Sequence, residues 1–133
     1  MANITTTNVD LGNVVIEGVA DHDELLTLAG ADDIAEGTIL ARDSVSGKLV
    51  LFVVGGVTNE NGIPKAVITY PVSSAGAGDV AIRALQTGKV NFNRLVIDAD
   101  GDNSNVSNAV MDQLRDYGIE TVKVQDLSIL DNQ

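Results

Sequence analysis

Two Val- and Ile-rich runs joined by a connector of small residues constrain the fold of this chain more than any other feature. The runs are Ala66–Tyr70 and Asp79–Leu85, and the connector is Pro71–Gly78. β-branched residues favour strands, and proline ends a central strand because it has no N–H to donate. A turn is predicted at Gln86–Lys89, and the apolar segment Asn91–Asp98 after it suits either a helix or a strand. The stretch therefore predicts two strands, a turn and a return within a β-rich module.

Short apolar runs separated by polar turns predict further strands along the rest of the chain. The predicted strands are Asn13–Ala20, Glu24–Ala29, Gly37–Arg42, Lys48–Val54 and Ile119–Gln125. The predicted turns are Asp21–Asp23, Gly30–Asp33 and Asp43–Gly47, the last with Gly47 in the left-handed position of a hairpin loop. Pro64 fits the beginning of a strand, where a missing N–H is tolerated.

One segment has the period of a helix. Its apolar positions share one helical face, with Ser104 as the predicted N-cap and Gly118 just past the end. These positions are Val106, Val110, Leu114 and Tyr117, with Met111 beside them. Because strands dominate and one helix lies in the C-terminal half, the predicted class is α+β, mainly β.

Composition limits the possible partners. Apolar residues make up 44% of the 133 residues but aromatic residues only 3%, so the core is aliphatic and offers few platforms for stacking bases or sugars. The net charge of −11 repels nucleic acid phosphates and anionic membranes, so neither is a predicted partner. The absence of cysteine excludes disulfides and thiolate metal sites. The first residues do not resemble a signal peptide, which favours synthesis in a cytoplasm.

The chain divides into a polar arm and one domain. Residues 1–12 have no helical period and are predicted to form a mobile N-terminal arm. The spaced apolar residues Ile4, Val9 and Leu11 allow this arm to add a strand to a partner's sheet, and the alternative is a frayed terminus. Residues 13–133 are predicted to form a single domain, with strands of uncertain pairing over 13–35 and a core body over 36–125.

The acidic residues come closest to the pattern of a metal-binding or catalytic site. Asp98, Asp100 and Asp102 have the spacing of a calcium loop, but Asn103 replaces its glycine and Ala109 its bidentate glutamate. An acidic loop leading into the helix is therefore preferred, and a weak calcium-binding module stays an alternative. His22 is the only histidine, so Ser–His–Asp chemistry lacks residues. A carboxylate-pair hydrolase stays open among 19 acidic residues, and no cofactor or metal is predicted.

Several segments in a fixed order resemble a known family. They are Glu36–Arg42, Ser46–Val50, Ile63–Ile68, Gly78–Arg83 and Gly88–Asn93, with Asp23–Gly30 upstream. Together they resemble the lambda-like head decoration (capsid cement) proteins of tailed bacteriophages, over about residues 24–124.

The resemblance implies a structural protein without enzymatic activity. Members of this family form homotrimers on the outer surface of the expanded phage head, bind the major capsid protein and reinforce its lattice. It further implies a compact fold of the β-clip kind, synthesis in the bacterial host cytoplasm, and an N-terminal arm that becomes ordered on the capsid. The residues that correspond to a capsid-binding arm here are Ile4, Thr5, Thr6, Thr7, Val9, Leu11, Val14, Val15 and Ile16.

Overall fold

A computed structural model of the chain describes residues 14–123. Within these residues it has eight strands, one 3-10 helix and one α-helix, which confirms the predicted α+β, mainly β class. The strands are β1 (Val15–Leu28), β2 (Asp32–Ile34), β3 (Ile39–Arg42), β4 (Leu49–Leu51), β5 (Pro64–Ile68), β6 (Val72–Ser74), β7 (Gly78–Asn91) and β8 (Ile119–Val122). The 3-10 helix is Phe92–Arg94 and α1 is Asn108–Asp116. None of the helices in this part of the chain is long and apolar enough to cross a membrane.

The longest elements, β1 and β7, are antiparallel partners over their whole length. Their register runs from Val15 opposite Val90 to Leu28 opposite Gly78. The turns predicted at Asp21–Asp23 and Gln86–Lys89 are therefore wrong, because each interrupts a single strand. The register of the pair shifts at three β-bulges instead. Their extra residues are Ile16, Val19 and Gln86.

Five strands form a small closed barrel. The order β1–β4–β3–β5–β7 closes through the β1–β7 pairing, and β8 runs parallel to the last residues of β7. β2 and β6 form a separate two-stranded sheet. The sequence predicted a turn at Gly30–Asp33 and a flexible connector at Pro71–Gly78, and both predictions missed this pairing. Ile34, at the end of β2, is buried in the barrel core, and that burial favours an ordered strand.

Two apolar cores lie on the two sides of β3. The inner core fills the barrel and consists of Leu26, Leu28, Ile34, Leu40, Leu49, Ala66, Ile68, Ile82 and Ala84. The outer core lies under α1 and includes Ile39, Ala41, Val67, Leu85, Val110, Leu114 and Ile119. The alternation of Ile39, Leu40 and Ala41 between the cores explains why β3 is apolar throughout. The strand predicted over Lys48–Val54 is shorter, since Phe52 enters the outer core and Gly55, with φ of 72°, turns the chain.

The helix begins three residues later than predicted. Ser107 is the N-cap, and its Oγ accepts from the Val110 N–H at 3.4 Å. Ser104 is instead held in the preceding turn, where its N–H donates to Asp102 Oδ1. Val106, Val110 and Leu114 are buried as the helical period predicted, whereas Tyr117 is nearly half exposed. Gly118 follows the helix with φ of 101°, as expected for a residue just past a helix end.

Candidate interaction surfaces

The root of the predicted arm lies in the body of the protein. Ile4, Thr5, Thr6, Thr7, Val9 and Leu11 lie outside the described residues. Val14 is 4% exposed in the outer core, and its carbonyl accepts from the Asn91 N–H at 2.8 Å. Val15 packs against the same core, whereas Ile16 is 37% exposed. The chain is therefore anchored in the body from Val14 onward, and Ile16 is the described arm residue that faces solvent.

Gly37 fixes the junction beside this root. Its φ is 90°, and a Cβ on it would lie 1.9 Å from the carbonyl oxygen of Arg94 and 3.3 Å from Val14 Cγ2. Its N–H donates to Ile68 O, and its carbonyl accepts from the Val96 N–H, both at 2.9 Å. An adjoining depression of about 270 Å³ is lined by Val14 and by the charged residues Glu36, Arg94 and Asp102, among others. Only glycine fits this position, which brings the beginning of β3 next to the arm root.

A polar network joins β1, β3 and β7. The Arg42 guanidinium donates to both carboxylate oxygens of Glu24, at 2.7 and 2.9 Å, and to Gly47 O at 2.8 Å. The side chain of Gln86, the bulge residue of β7, also donates to Glu24. These hydrogen bonds from Arg42 hold the pKa of Glu24 below its usual value, although burial opposes the shift. Glu24 lies on the same face of β1 as the buried Leu26, so the network adjoins the inner core.

The outward face of the same strands carries further ion pairs. Asp79 accepts from Lys48 Nζ at 2.6 Å and from Thr27 Oγ1 at 2.7 Å, and these donors lower its pKa. Arg83 pairs with Asp23 at 3.4 Å. Between these pairs Leu25, 43% exposed, helps to line a depression of about 390 Å³. Such an open depression with ion pairs around it suits contact with another surface better than enclosure of a small ligand.

The carboxylates of the candidate calcium loop are directed to different partners. Asp98 shares a hydrogen bond with Asp32, and its pKa is raised by burial and by the charge of that neighbour. Asp100 accepts from Asn105 Nδ2 at 2.9 Å, and Asp102 accepts from the Ser104 N–H at 2.9 Å. His22 is exposed on β1. Residues 14–123 contain no group of three or more His, Cys, Asp or Glu side chains placed to hold a metal ion.

Comparison with protein families decides what kind of protein has this fold. The family model for Bacteriophage lambda head decoration protein D matches residues 3–119. The chain belongs to this family. The resemblance predicted from the sequence is thereby confirmed, and the match includes the arm residues from Ile4 onward. None of the curated proteins compared with the chain matches it.

As a member of this family, the chain is a component of the phage head. The family's role is to decorate the capsid. A decoration protein acts through its surface, and exposed apolar side chains mark contacts with other proteins. Among residues 14–123, four of the eight large exposed apolar side chains lie on two neighbouring loops, which we call the valine tip (Ser44–Gly47 and Val53–Asn59). They are Val45, Val53, Val54 and Val57, and Val57 is 92% exposed.

The two loops of the valine tip are held together by their backbones. The Ser44 N–H donates to Asn59 O at 3.0 Å and joins the two loops, and the Val53 N–H donates to Asn61 O at 2.9 Å and closes the second loop. Asn59 and Glu60 have φ values of 47° and 66°, which non-glycine residues rarely adopt. In this region the sequence predicts only the hairpin turn Asp43–Gly47 and the strand Lys48–Val54. The signal available in the sequence was the run 49–59, which has no charged residue in a chain with 27 of them.

Proposed function

We propose that this protein decorates the outer surface of the expanded phage head as a homotrimer and stabilises the lattice of the major capsid protein. The observation that carries the proposal is the match of the decoration-protein family model to residues 3–119. The ion-paired surface and the shallow depressions support it, because a protein that reinforces a shell needs broad contacts repeated by symmetry. The proposed location is the virion surface, after synthesis in the host cytoplasm.

The proposal assigns capsid contact to the N-terminal arm. Residues 1–12 form the arm and residues 13–133 the single body domain in this assignment. Its apolar residues Ile4, Val9 and Leu11, together with Thr5, Thr6 and Thr7, would add a strand to the edge of a capsid-protein sheet. Val14 and Val15 would anchor the root of the arm, because both pack against the outer core, and Ile16 would extend the contact surface.

The proposed role is structural and needs neither catalysis nor a cofactor. A hydrolase with a carboxylate pair would place two acids of different pKa in a concave site. Asp32 and Asp98 are paired and the pKa of Asp98 is raised, but neither residue lines either of the two depressions described above. A calcium-binding module lacks support because Asp98, Asp100 and Asp102 bond to separate partners.

Deletion of residues 1–12 tests the division of labour between arm and body. We expect the truncated protein to remain trimeric and to unfold at nearly the same temperature, because the described cores begin at Val14. We expect its affinity for expanded, undecorated heads to fall by at least tenfold. Size-exclusion chromatography with light scattering gives the trimer, and cosedimentation with heads gives the affinity.

A full-length control distinguishes the effect of losing the arm's apolar side chains from the effect of shortening the chain. The triple variant Ile4→Ser, Val9→Ser and Leu11→Ser keeps every residue position but removes the apolar side chains. It should bind heads nearly as weakly as the truncated protein. Loss of the trimer after deletion, or unchanged binding of both variants, would contradict the assignment of capsid contact to the arm.

A further inference from the structure

Charge restricts where copies of this protein can touch. Each copy has a net charge of −11, with 19 acidic and 8 basic residues. Five of these basic residues already form ion pairs within the described part of the chain: Arg42, Lys48, Arg83, Lys89 and Arg115. Like charges brought together across an interface cost several kcal/mol, on the order of the whole gain from a small contact. Copies therefore meet most favourably at surfaces that lack acidic residues.

Two surfaces come nearest to this condition, with Asp33 and Asp32 of β2 opposite Ser73 and Ser74 as the acidic neighbours of one of them. Over residues 14–123, the two longest runs without a charged residue are 66–78 and 49–59. The shorter run contributes most of the valine tip. The longer run contributes β6 and the loops around it, which we call the Tyr70 surface (Tyr70–Gly78). Tyr70 is 62% exposed there, next to small exposed residues that include Ala75 and Gly76.

The two surfaces lie at opposite ends of β3. The valine tip contains the hairpin loop that follows β3, where the Asp43 N–H donates to Lys48 O at 2.9 Å. The Tyr70 surface follows β5, which is antiparallel to β3 and ends beside its beginning, where the Gly37 N–H donates to Ile68 O. A contact between two different surfaces is heterologous, and heterologous contacts close into rings when the rotation between copies allows it.

The valine tip has the properties of a rigid contact element. The backbone bond between its loops and the one within the second loop leave little freedom to lose on binding. Gly56 and Gly62 pack closely, since a Cβ on Gly56 would lie 2.2 Å from Asn61 Oδ1 and one on Gly62 would lie 2.3 Å from Gly56 O. The small residues of the Tyr70 surface leave room for protruding valine side chains, and an exposed tyrosine is typical of the residues that dominate interface energies.

We propose that the valine tip of one copy packs against the Tyr70 surface of the next and forms the repeated contact of the homotrimer. This inference rests on the proposed function, and it names the residues through which three copies join. The occupant of both surfaces is a second copy of this chain, because each run is uncharged between a lysine and an acid (Lys48 and Glu60, Lys65 and Asp79), so two copies that meet there bring few like charges together.

Two substitutions that add charge test the contact from both sides. Val57→Asp and Tyr70→Glu each place a negative charge in one of the two surfaces, and both side chains are exposed, so the folded monomer should tolerate them. Each should weaken trimer formation by at least tenfold, measured by analytical ultracentrifugation over a range of concentrations. The control Gln113→Glu adds the same charge on the exposed side of α1 and should leave the trimer unchanged. Thermal unfolding should show that all three variants are folded.

Cross-linking tests the pairing of the two surfaces directly. The chain has no cysteine, so introduced thiols are the only ones present. Val57→Cys alone and Tyr70→Cys alone should each give no cross-linked copies with a short bismaleimide. The double variant should give covalent dimers and trimers, because each contact then joins residue 57 of one copy to residue 70 of the next.

The outcomes separate this inference from the proposed function. A wild-type protein that is monomeric would overturn the homotrimer itself and the contact with it. A wild-type trimer that survives both charge variants would overturn only the contact and leave the proposed function standing. Variants that stay trimeric but lose binding to heads would also overturn the proposed contact between copies. They would show that these surfaces bind the capsid protein instead.

Discussion

Glu24 shows, at the scale of single residues, how one carboxylate of this acidic chain becomes part of the structure. Its side chain is 20% exposed, and it accepts two hydrogen bonds from Arg42 and one from Gln86. Sequence alone could not predict this network, because 18 residues separate Glu24 from Arg42 and 62 separate it from Gln86. The bulge in β7 adds Gln86 to the strand and directs its amide toward Glu24.

The pH dependence of Glu24→Gln tests this network. Because the folded-state pKa of Glu24 is lowered, its stabilisation is fully present above the ordinary value of 4.5 and is lost as pH falls through the lowered value. At pH 7 the substitution should reduce the free energy of unfolding by about 1–2 kcal/mol, since a partly exposed charged hydrogen bond is lost. Urea unfolding at pH 7 and pH 3 should show the difference from wild type shrinking at the lower pH. A difference that stays constant would show that the ion pair with Arg42 contributes nothing.

At the scale of secondary-structure elements, local sequence patterns correctly predicted features that depend on one element alone. They failed where pairing with another strand determines whether a segment is a strand or a turn. The helical period correctly identified Val110 and Leu114 as buried, and Pro64 begins β5 as expected. The polar residues at Asp21–Asp23 and the glycine at position 88 look like turns locally. Pairing of β1 with β7 over 14 residues each overrides those signals, and the irregularities become bulges instead of chain reversals.

The beginning of α1 gives a prediction at this scale. Ser107→Ala should destabilise the protein by about 1 kcal/mol, because it removes the side-chain acceptor for the Val110 N–H. Ser104→Ala is the matched control and should change stability by less than about 0.5 kcal/mol, because its exposed side chain bonds only with the exposed carboxylate of Asp102 and accepts from no helix N–H. Thermal unfolding by circular dichroism measures both. A larger effect at Ser104 than at Ser107 would contradict the observed helix boundary.

At the scale of the whole molecule, the chain is a head decoration protein built as a small barrel with a second core under one helix. The family could be predicted from the order and spacing of strand-and-turn segments such as Ser46–Val50 and Ile63–Ile68. The valine tip could not, because it forms only when the loops after β3 and β4 meet in space through Ser44 and Asn59. Val14 and Val15, predicted as arm residues, turned out to contribute to the body's outer core as well.

Direct imaging of the protein on phage heads tests the central claim of this account, that the chain decorates expanded heads as a homotrimer. Purified protein is added to expanded, undecorated heads of its own phage, and the heads are examined by electron cryomicroscopy. The account predicts added density for clusters of three copies on the outer surface, and greater resistance of the heads to heat. Expanded heads that stay bare at saturating protein, or that carry single copies at other positions, would contradict it.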